Sequence, residues 1–460
     1  MTQSRHFQSR RFGRRSSQSP QLLSQKSIVK LLLVVLPLSV NQIIAWGTIY
    51  FSFSLFIDPM QRDLQWSRNF IAGGISLALL VSAVVQLFVG RFIDRYGAHF
   101  LMSIGALLGA AALLFLSVNT SLVGYYVAWT ALGFTIALCF FEPAFKVLLD
   151  ELPVHFEQAV SMLVLLSGLS SALFLPLAHR MIQQSGWRDA LLMFGVLNLV
   201  SAAISWLLFC RRRRRYGRND DEACAAPVAS STSTSPSISP SITTPRTAAP
   251  SPSSTAALHM QYPQAATPPL VDGFKQWRFW CVAFAFALNT GVVTTLVIHL
   301  LGILGASGFT ARSALVAIAM IGPTQIFGRL VQTFFAGRSS FRLITVVAFF
   351  AFLVGLLCLQ VSVPSGWLIW IAILLVGMGS GMMTILRGTI VALLFGQRDY
   401  ARLSNLVAAP SSVARAIAPL GASMIAATTI GYRGLGWIVC VIAACALAFI
   451  SYSLIAYQNE

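Results

Sequence analysis

Apolar residues in this chain recur in long, nearly unbroken stretches, not in the alternating or one-faced patterns of a water-soluble domain. A bilayer core of about 30 Å is crossed by on the order of 20 apolar helical residues. Twelve runs meet that length, near 31–57, 68–90, 100–118, 122–148, 157–178, 187–210, 276–304, 312–336, 342–361, 366–395, 403–429 and 435–457. Most linkers between them are short and place Pro or Gly beside a charge, as in Asp58-Pro59, Gly186-Trp187-Arg188 and Gly431-Tyr432-Arg433, which is turn chemistry. The pattern predicts an all-α membrane protein of twelve transmembrane helices.

One stretch breaks the pattern. Arg211 to Arg215 close the sixth run, Asp220-Asp221-Glu222 follow, and a Ser/Thr/Pro/Ala tract continues to about 270. Such a composition buries too little apolar surface to order itself. The expected organisation is a disordered basic tail over 1–30, a six-helix bundle over 31–210, a disordered linker over 211–275 and a second six-helix bundle over 276–457. The five arginines read as a stop-transfer anchor at an anionic leaflet, with regulatory lipid binding as the alternative.

Composition agrees with the pattern: 56% of the 460 residues are hydrophobic and 10% charged, against about 25% charged in a soluble domain. The 32 Lys and Arg against 14 Asp and Glu give a net charge of +18, a balance that elsewhere would suggest nucleic acid. Here the basic residues gather in the tail, the central linker and every second loop, so the positive-inside rule places both termini in the cytoplasm and accounts for the charge without nucleic acid. The Arg- and Ser-rich tail superficially matches a transit peptide or twin-arginine signal, but its apolar run is too long and begins too late for cleavage. The expected location is the inner membrane of a bacterium. Seven cysteines lie in or beside apolar runs without C-x-x-C spacing, so neither a metal nor any other cofactor is implied.

The two bundles repeat each other. Arg68 corresponds to Arg312, Ser161-x-Leu163-Val164 to Ser404-x-Leu406-Val407, Pro176-Leu177 to Pro419-Leu420, and Gly186-Trp187-Arg188 to Gly431-Tyr432-Arg433, all at separations of 243 to 245 residues. A parallel duplication of six helices is an arrangement in which a substrate site forms between halves that rock against each other. This predicts a secondary transporter.

Between the second and third runs, Gly90-Arg91-Phe92-Ile93-Asp94-Arg95-Tyr96-Gly97-Ala98-His99 resembles the signature loop of the major facilitator superfamily, G-x-x-x-D-R-x-G. With the twelve runs, the repeat and the long central loop, the resemblance covers about 30 to 457 and implies the major facilitator fold. It also implies that Asp94, with Arg95 beside it, latches the cytoplasmic side through an arginine and a helix N-terminus of the other half. Gly90 and Gly97 would allow close helix approach and a tight turn. Ala98-His99 departs from the usual basic ending.

Trp46 to Phe53, Phe141-Glu142-Pro143-Ala144-Phe145, Gly322 to Arg329 and Arg387-Gly388-Thr389 are similar to bacterial members related to monocarboxylate porters and oxalate/formate exchangers. The acidic residues those porters carry in their first and eighth helices are missing: Asn41 and Gln42 lie in the first run and Gln325 in the eighth.

Arg329, Arg387 and Arg415 fall inside apolar runs, where an arginine facing lipid costs roughly 2.5–3.5 kcal/mol. Glu142 is the carboxylate well inside a run, 245 residues from Arg387 and therefore at its repeat equivalent. Buried guanidinium groups exceed their negative partners, so the cavity is expected to receive an anion held by paired hydrogen bonds. The family resemblance makes Arg329 the leading substrate ligand. Arg387 and Arg415 are open between ligand and gate; Glu142 between gate, proton carrier and structural ion pair. Asn41, Gln42 and Trp46 either line the cavity or tie helices together, and His299 either couples protons or packs.

The reading is a monomeric, non-enzymatic secondary transporter of a small organic anion, a carboxylate by its charge, working by proton symport or exchange in the lipid bilayer. Efflux of neutral or cationic compounds is one alternative and a non-transporting membrane sensor another. An intramembrane enzyme would need convergent nucleophile, base or metal ligands at membrane depth, and no His/Glu pair at helical spacing or G-x-S-x-G is present.

Overall fold

The computed structural model describes residues 25–224, 277–335, 340–363, 366–397 and 399–456, and every regular element among them is helical. In the N-terminal half, α1 (Gln25–Ala45) runs through a π-helical turn, Trp46–Phe51, into α2 (Phe53–Leu64). Then come α3 (Arg68–Tyr96), α4 (Ala98–Val118), α5 (Leu122–Cys139), α6 (Phe141–Glu151), α7 (Phe156–Ser167), α8 (Leu169–Ser185) and α9 (Trp187–Cys224). The C-terminal half holds α10 (Trp277–Ala306), α11 (Ala311–Phe335), α12 (Phe341–Val361), α13 (Leu368–Phe395), α14 (Tyr400–Ala426) and α15 (Gly431–Ala456).

Local chemistry sets several of these boundaries. The Ser67 hydroxyl accepts from the Phe70 N–H at 3.4 Å to start α3, and Ser121 does the same for α5 from Gly124 at 3.5 Å, each satisfying an otherwise orphaned donor. Gly97, at φ +87°, ends α3 and starts α4, a conformation that L side chains rarely adopt.

Among the described residues, eleven helical stretches are long and apolar enough to cross a membrane. The twelfth run expected from the sequence is α14. It is 27 residues long, enough to span, but Arg402, Asn405, Arg415 and its serines keep it below the apolar content of the others. Two boundaries differ from expectation. α1 begins at Gln25, inside the tail expected to be disordered, and α9 continues through Cys224 into the expected linker. No proline interrupts either extension, and Arg, Lys and Gln are good helix formers. The remaining expectations of disorder, over 1–24 and 225–275, lie outside the described residues.

Each half has its own core: Leu38, Phe56, Ile71, Tyr125 and Phe194 are fully buried in one, Phe279, Phe286, Phe349 and Phe352 in the other. Large apolar side chains such as Val84, Leu107, Leu207, Val297, Phe334 and Met424 face outward, as a lipid-facing surface requires. Between the halves, α3 packs along α14, α7 meets α11 and α13, and α6 meets α14 and α13. The continuations α5 and α8, which lead away from the Asp94 end, pack within the N-terminal half. The halves are thus held together chiefly at the end that carries Asp94.

Candidate functional site

The site begins with a break in a helix. Pro143 has no N–H to give the carbonyl four residues back, and the fourth span divides at Phe140, with α5 ending at Cys139 and α6 starting at Phe141. Gln42 fills the gap: its side-chain amide donates to the Cys139 carbonyl at 2.8 Å and to that of Phe140 at 3.4 Å. The restart places Glu142 in the first turn of α6, where the helix dipole favours a carboxylate. Glu142 accepts from the Arg387 guanidinium on α13 at 2.6 Å, with the carboxylate side chain 5% exposed. The two residues are repeat equivalents, so their contact lies close to the pseudo-two-fold axis relating the halves. Gly388 makes room for Phe145 beside the pair, and the Tyr400 hydroxyl donates to the Gly388 carbonyl at 2.6 Å. Lys146 is engaged with Asp150 at 2.5 Å.

Next to this pair, Arg415 of α14 reaches across to the first span. Its guanidinium carbon lies 5.7 Å from the Trp46 ring centroid and 5.8 Å from that of Tyr50, within range of cation–π attraction. Trp46 in turn stacks on Phe140 at 4.2 Å and Phe141 at 5.2 Å, so the helix break supplies part of the aromatic floor. The π turn that carries Trp46 and Tyr50 is braced by Asn198, which donates to the Thr48 hydroxyl at 2.9 Å. π segments of this kind re-aim side chains within a helix. Arg415 has no hydrogen-bond acceptor and no carboxylate partner among the described residues.

Arg329 of α11 crosses the other seam and rests against Gly168, at the junction of α7 and α8; a Cβ there would collide with Nη1. The carbonyl end of α7 offers it partial negative charge. Its Nε is buried without a hydrogen-bond partner, and no carboxylate among the described residues pairs with it. Around Glu142 the interface therefore holds the Glu142–Arg387 ion pair and, among the described residues, two guanidinium groups without anionic partners.

At the closed end, Asp94 forms an ion pair with Arg402 at 2.8 Å, in the first turn of α14. Gly90 lies so close to α14 that a Cβ would stand 2.5 Å from the Arg402 Cα. Ser412 donates to Gln86 at 3.2 Å deeper in the same seam. Arg95 is exposed and lies over the Tyr96 ring at 5.3 Å, and Gly97 makes the turn.

Three candidates are placed away from the seam. Asn41 donates to Ser205 at 2.5 Å and accepts from Ser201 at 2.8 Å, tying α1 to α9. Gln42 is fully buried at the α5–α6 break. The His299 ring nitrogen Nε2 lies 3.2 Å from the Pro419 carbonyl and 3.3 Å from the Ser423 hydroxyl, within the C-terminal half. Asn41 and Gln42 thus act as interhelical ties in this structure, not as residues facing the opposite half, because small-residue and broken-helix contacts inside the bundle leave polar groups to satisfy. Sequence reasoning passed over Arg402, Gln86, Gly168, Tyr50 and Phe140. Arg402 follows a linker and reads as a loop charge, and the others carry no signal until their partners on distant helices are known.

Comparison with known proteins agrees with this architecture. The model of the Major Facilitator Superfamily matches residues 38–386. An uncharacterized MFS-type transporter, YcxA of Bacillus subtilis (strain 168), is 30% identical over 82 residues, which is 18% of this chain and only about a fifth (20%) of that protein's length. Among solved structures, the proton:xylose symporter XylE bound to 6-bromo-6-deoxy-D-glucose superposes with a TM-score of 0.67 at 10% identity, covering 92% of this chain and 95% of its own. FucP, in its outward conformation, gives 0.63 at 11% identity, covering 92% and 99%. At such identities the likeness is one of fold.

Proposed function

The chain belongs to the Major Facilitator Superfamily, a multi-pass membrane transporter and not an enzyme, and from that premise we propose that its cargo is a small organic anion, a carboxylate above all. The observation that carries the reading is the charge balance between the halves: Glu142 is committed to Arg387 at 2.6 Å, while Arg329 and Arg415 have no anionic partner among the described residues. Holding unpaired guanidinium groups at membrane depth costs roughly 2.5–3.5 kcal/mol each on insertion scales. A carboxylate that enters between the halves offsets that cost through charge-assisted hydrogen bonds. Its apolar body would lie on Trp46 and Tyr50.

Arg329 and Arg415 are the ligands in this reading; Arg387, Glu142 and the Asp94–Arg402 pair form the gate that closes one end. With both termini in the cytoplasm and α14 as the twelfth span, the closed end is cytoplasmic and the site opens to the far side. The protein works as a monomer in a bacterial cytoplasmic membrane, by proton symport or exchange, in the manner of the monocarboxylate-porter-like subgroup that its motifs resemble. His299, held by Pro419 and Ser423, takes no part in substrate contact.

The test is a thermal-shift screen of the purified protein against a panel of organic anions, with neutral sugars and cationic drugs as the rival classes, since a ligand stabilises the state it binds. A carboxylate should raise the apparent Tm, and Arg329→Gln and Arg415→Gln should each weaken its binding by about 1.5–3 kcal/mol, the worth of a hydrogen bond to a charged group. Stabilisation by a sugar or cation alone, unchanged in both variants, overturns the anion assignment and favours the rival cargo.

A further inference from the structure

On the outer face of the N-terminal half, remote from the seam, α4 and α9 enclose a cleft of about 310 Å³ lined by Ile104, Leu107, Leu199, Ala202, Ala203 and Trp206. Its lining is almost wholly apolar: the one hydroxyl there, Ser103, already donates to the His99 carbonyl at 2.8 Å. The cleft lies toward the Asp94 end, where α4 begins and α9 leaves the bundle. Above it, aromatic rings form a continuous row. Phe92 stacks with Tyr96 at 6.4 Å, Tyr96 meets Phe100 at 6.2 Å, and Phe100 meets Trp206 at 6.3 Å. Phe92, Tyr96 and Trp206 are exposed, the placement of aromatic residues at a membrane–water interface.

Basic residues occur beside this row on α3 and further along the α9 sequence. Arg95 lies over Tyr96 and has no acidic partner among the described residues. On α9, the helix continues without a break from Trp206 through positions 211–215, all arginine. Position 213 continues the row 199, 202, 206 at helical spacing, about 10 Å above Trp206. Cleft-lining residues, the ring of Trp206 and a run of five arginine positions thus follow one another along α9.

The geometry points to a phospholipid site: the α4–α9 cleft holds an acyl chain of a phospholipid from the leaflet at the Asp94 end, and the basic run after α9's apolar part selects an anionic headgroup.

Native mass spectrometry of the full-length protein in neutral detergent tests the site, with phosphatidylglycerol and phosphatidylcholine of identical acyl chains and inorganic phosphate as a soluble competitor. Phosphatidylglycerol should bind about tenfold or more tightly than phosphatidylcholine, as a basic cluster at an anionic surface predicts. Changing Arg211 to Arg215 together to Gln should bring phosphatidylglycerol to the phosphatidylcholine level and leave the latter unchanged. Ala203→Phe, which fills the cleft at an exposed position, should weaken both lipids. Equal binding of the two lipids, a phosphatidylglycerol preference that survives loss of the arginines, or complete displacement by millimolar phosphate would each overturn the proposal.

Discussion

Two seams join the halves, and the repeat makes them equivalents: α3 against α14, and α11 against α7. In the first, a glycine lets two backbones touch at Gly90 and Arg402, an ion pair crosses at 2.8 Å between Asp94 and Arg402, and a hydrogen bond crosses at 3.2 Å between Gln86 and Ser412. In the second, a glycine again makes room, but at Gly168 the visitor is the end of the Arg329 side chain, and no carboxylate among the described residues answers it. The two equivalent seams differ in how extensively the helices pack as well as in their charges. One seam is built to hold and the other keeps an unsatisfied cation, which is the asymmetry a carrier needs if one side latches while the other grips cargo. Between them, near the axis, the Glu142–Arg387 pair belongs to both halves equally.

That contrast can be broken most severely at the axis. Glu142→Gln strands Arg387 in a buried setting, and removing one partner of a buried pair costs about 3–5 kcal/mol. The apparent Tm should fall sharply, and Glu142→Gln combined with Arg387→Gln should recover most of the loss; a single variant as stable as the parent would mean the pair does not hold the halves.

The two glycines sharpen the comparison directly. Gly90→Ala drives a methyl group into the Arg402 backbone, which cannot swing aside, and overpacking of that kind costs about 1–3 kcal/mol. Gly168→Ala collides with the tip of a flexible guanidinium and sits 3.1 Å from the Leu165 carbonyl oxygen, so it should cost less than Gly90→Ala in the same thermal melt. Equal losses would show that the second seam is as rigid as the first.

The smallest effect belongs to Asp94→Asn. Its partner Arg402 has a side chain 36% exposed, and pairs with that much solvent contribute at most about 1 kcal/mol. The difference in Tm from the parent should shrink further in high salt, because screening already weakens the pair in the parent. A larger, salt-independent loss would indicate that Asp94 acts on the α14 dipole more than on the arginine.

Much of the fold was legible in sequence because the bilayer imposes a coarse rule: a long apolar run satisfies its backbone as a helix wherever its partners lie. The runs, the repeat and the Gly90–Gly97 turn all follow from that rule or from local backbone chemistry. The site was legible only in part. Glu142 and Arg387 were linked through their repeat spacing, and their contact at 2.6 Å follows because equivalent residues meet at a two-fold axis. Asn41 and Gln42 show the limit: polar residues in an apolar run announce a hydrogen bond but not its direction, and theirs point into the N-terminal bundle.

The sequence by itself determined the membrane class, the duplicated helical plan and the excess of buried arginine over buried carboxylate, since length, apolarity and charge are properties of each segment alone. Only the tertiary structure decided that Arg329 and Arg415 are left without a carboxylate among the described residues. It also decided that Arg402 serves Asp94, that Arg415 lies over Trp46 and Tyr50, and that the halves are held at one end. Each of those depends on how far a helix is rotated and shifted against a neighbour hundreds of residues away, and small residues such as Gly90 and Gly168 set that register through contacts that no single segment contains.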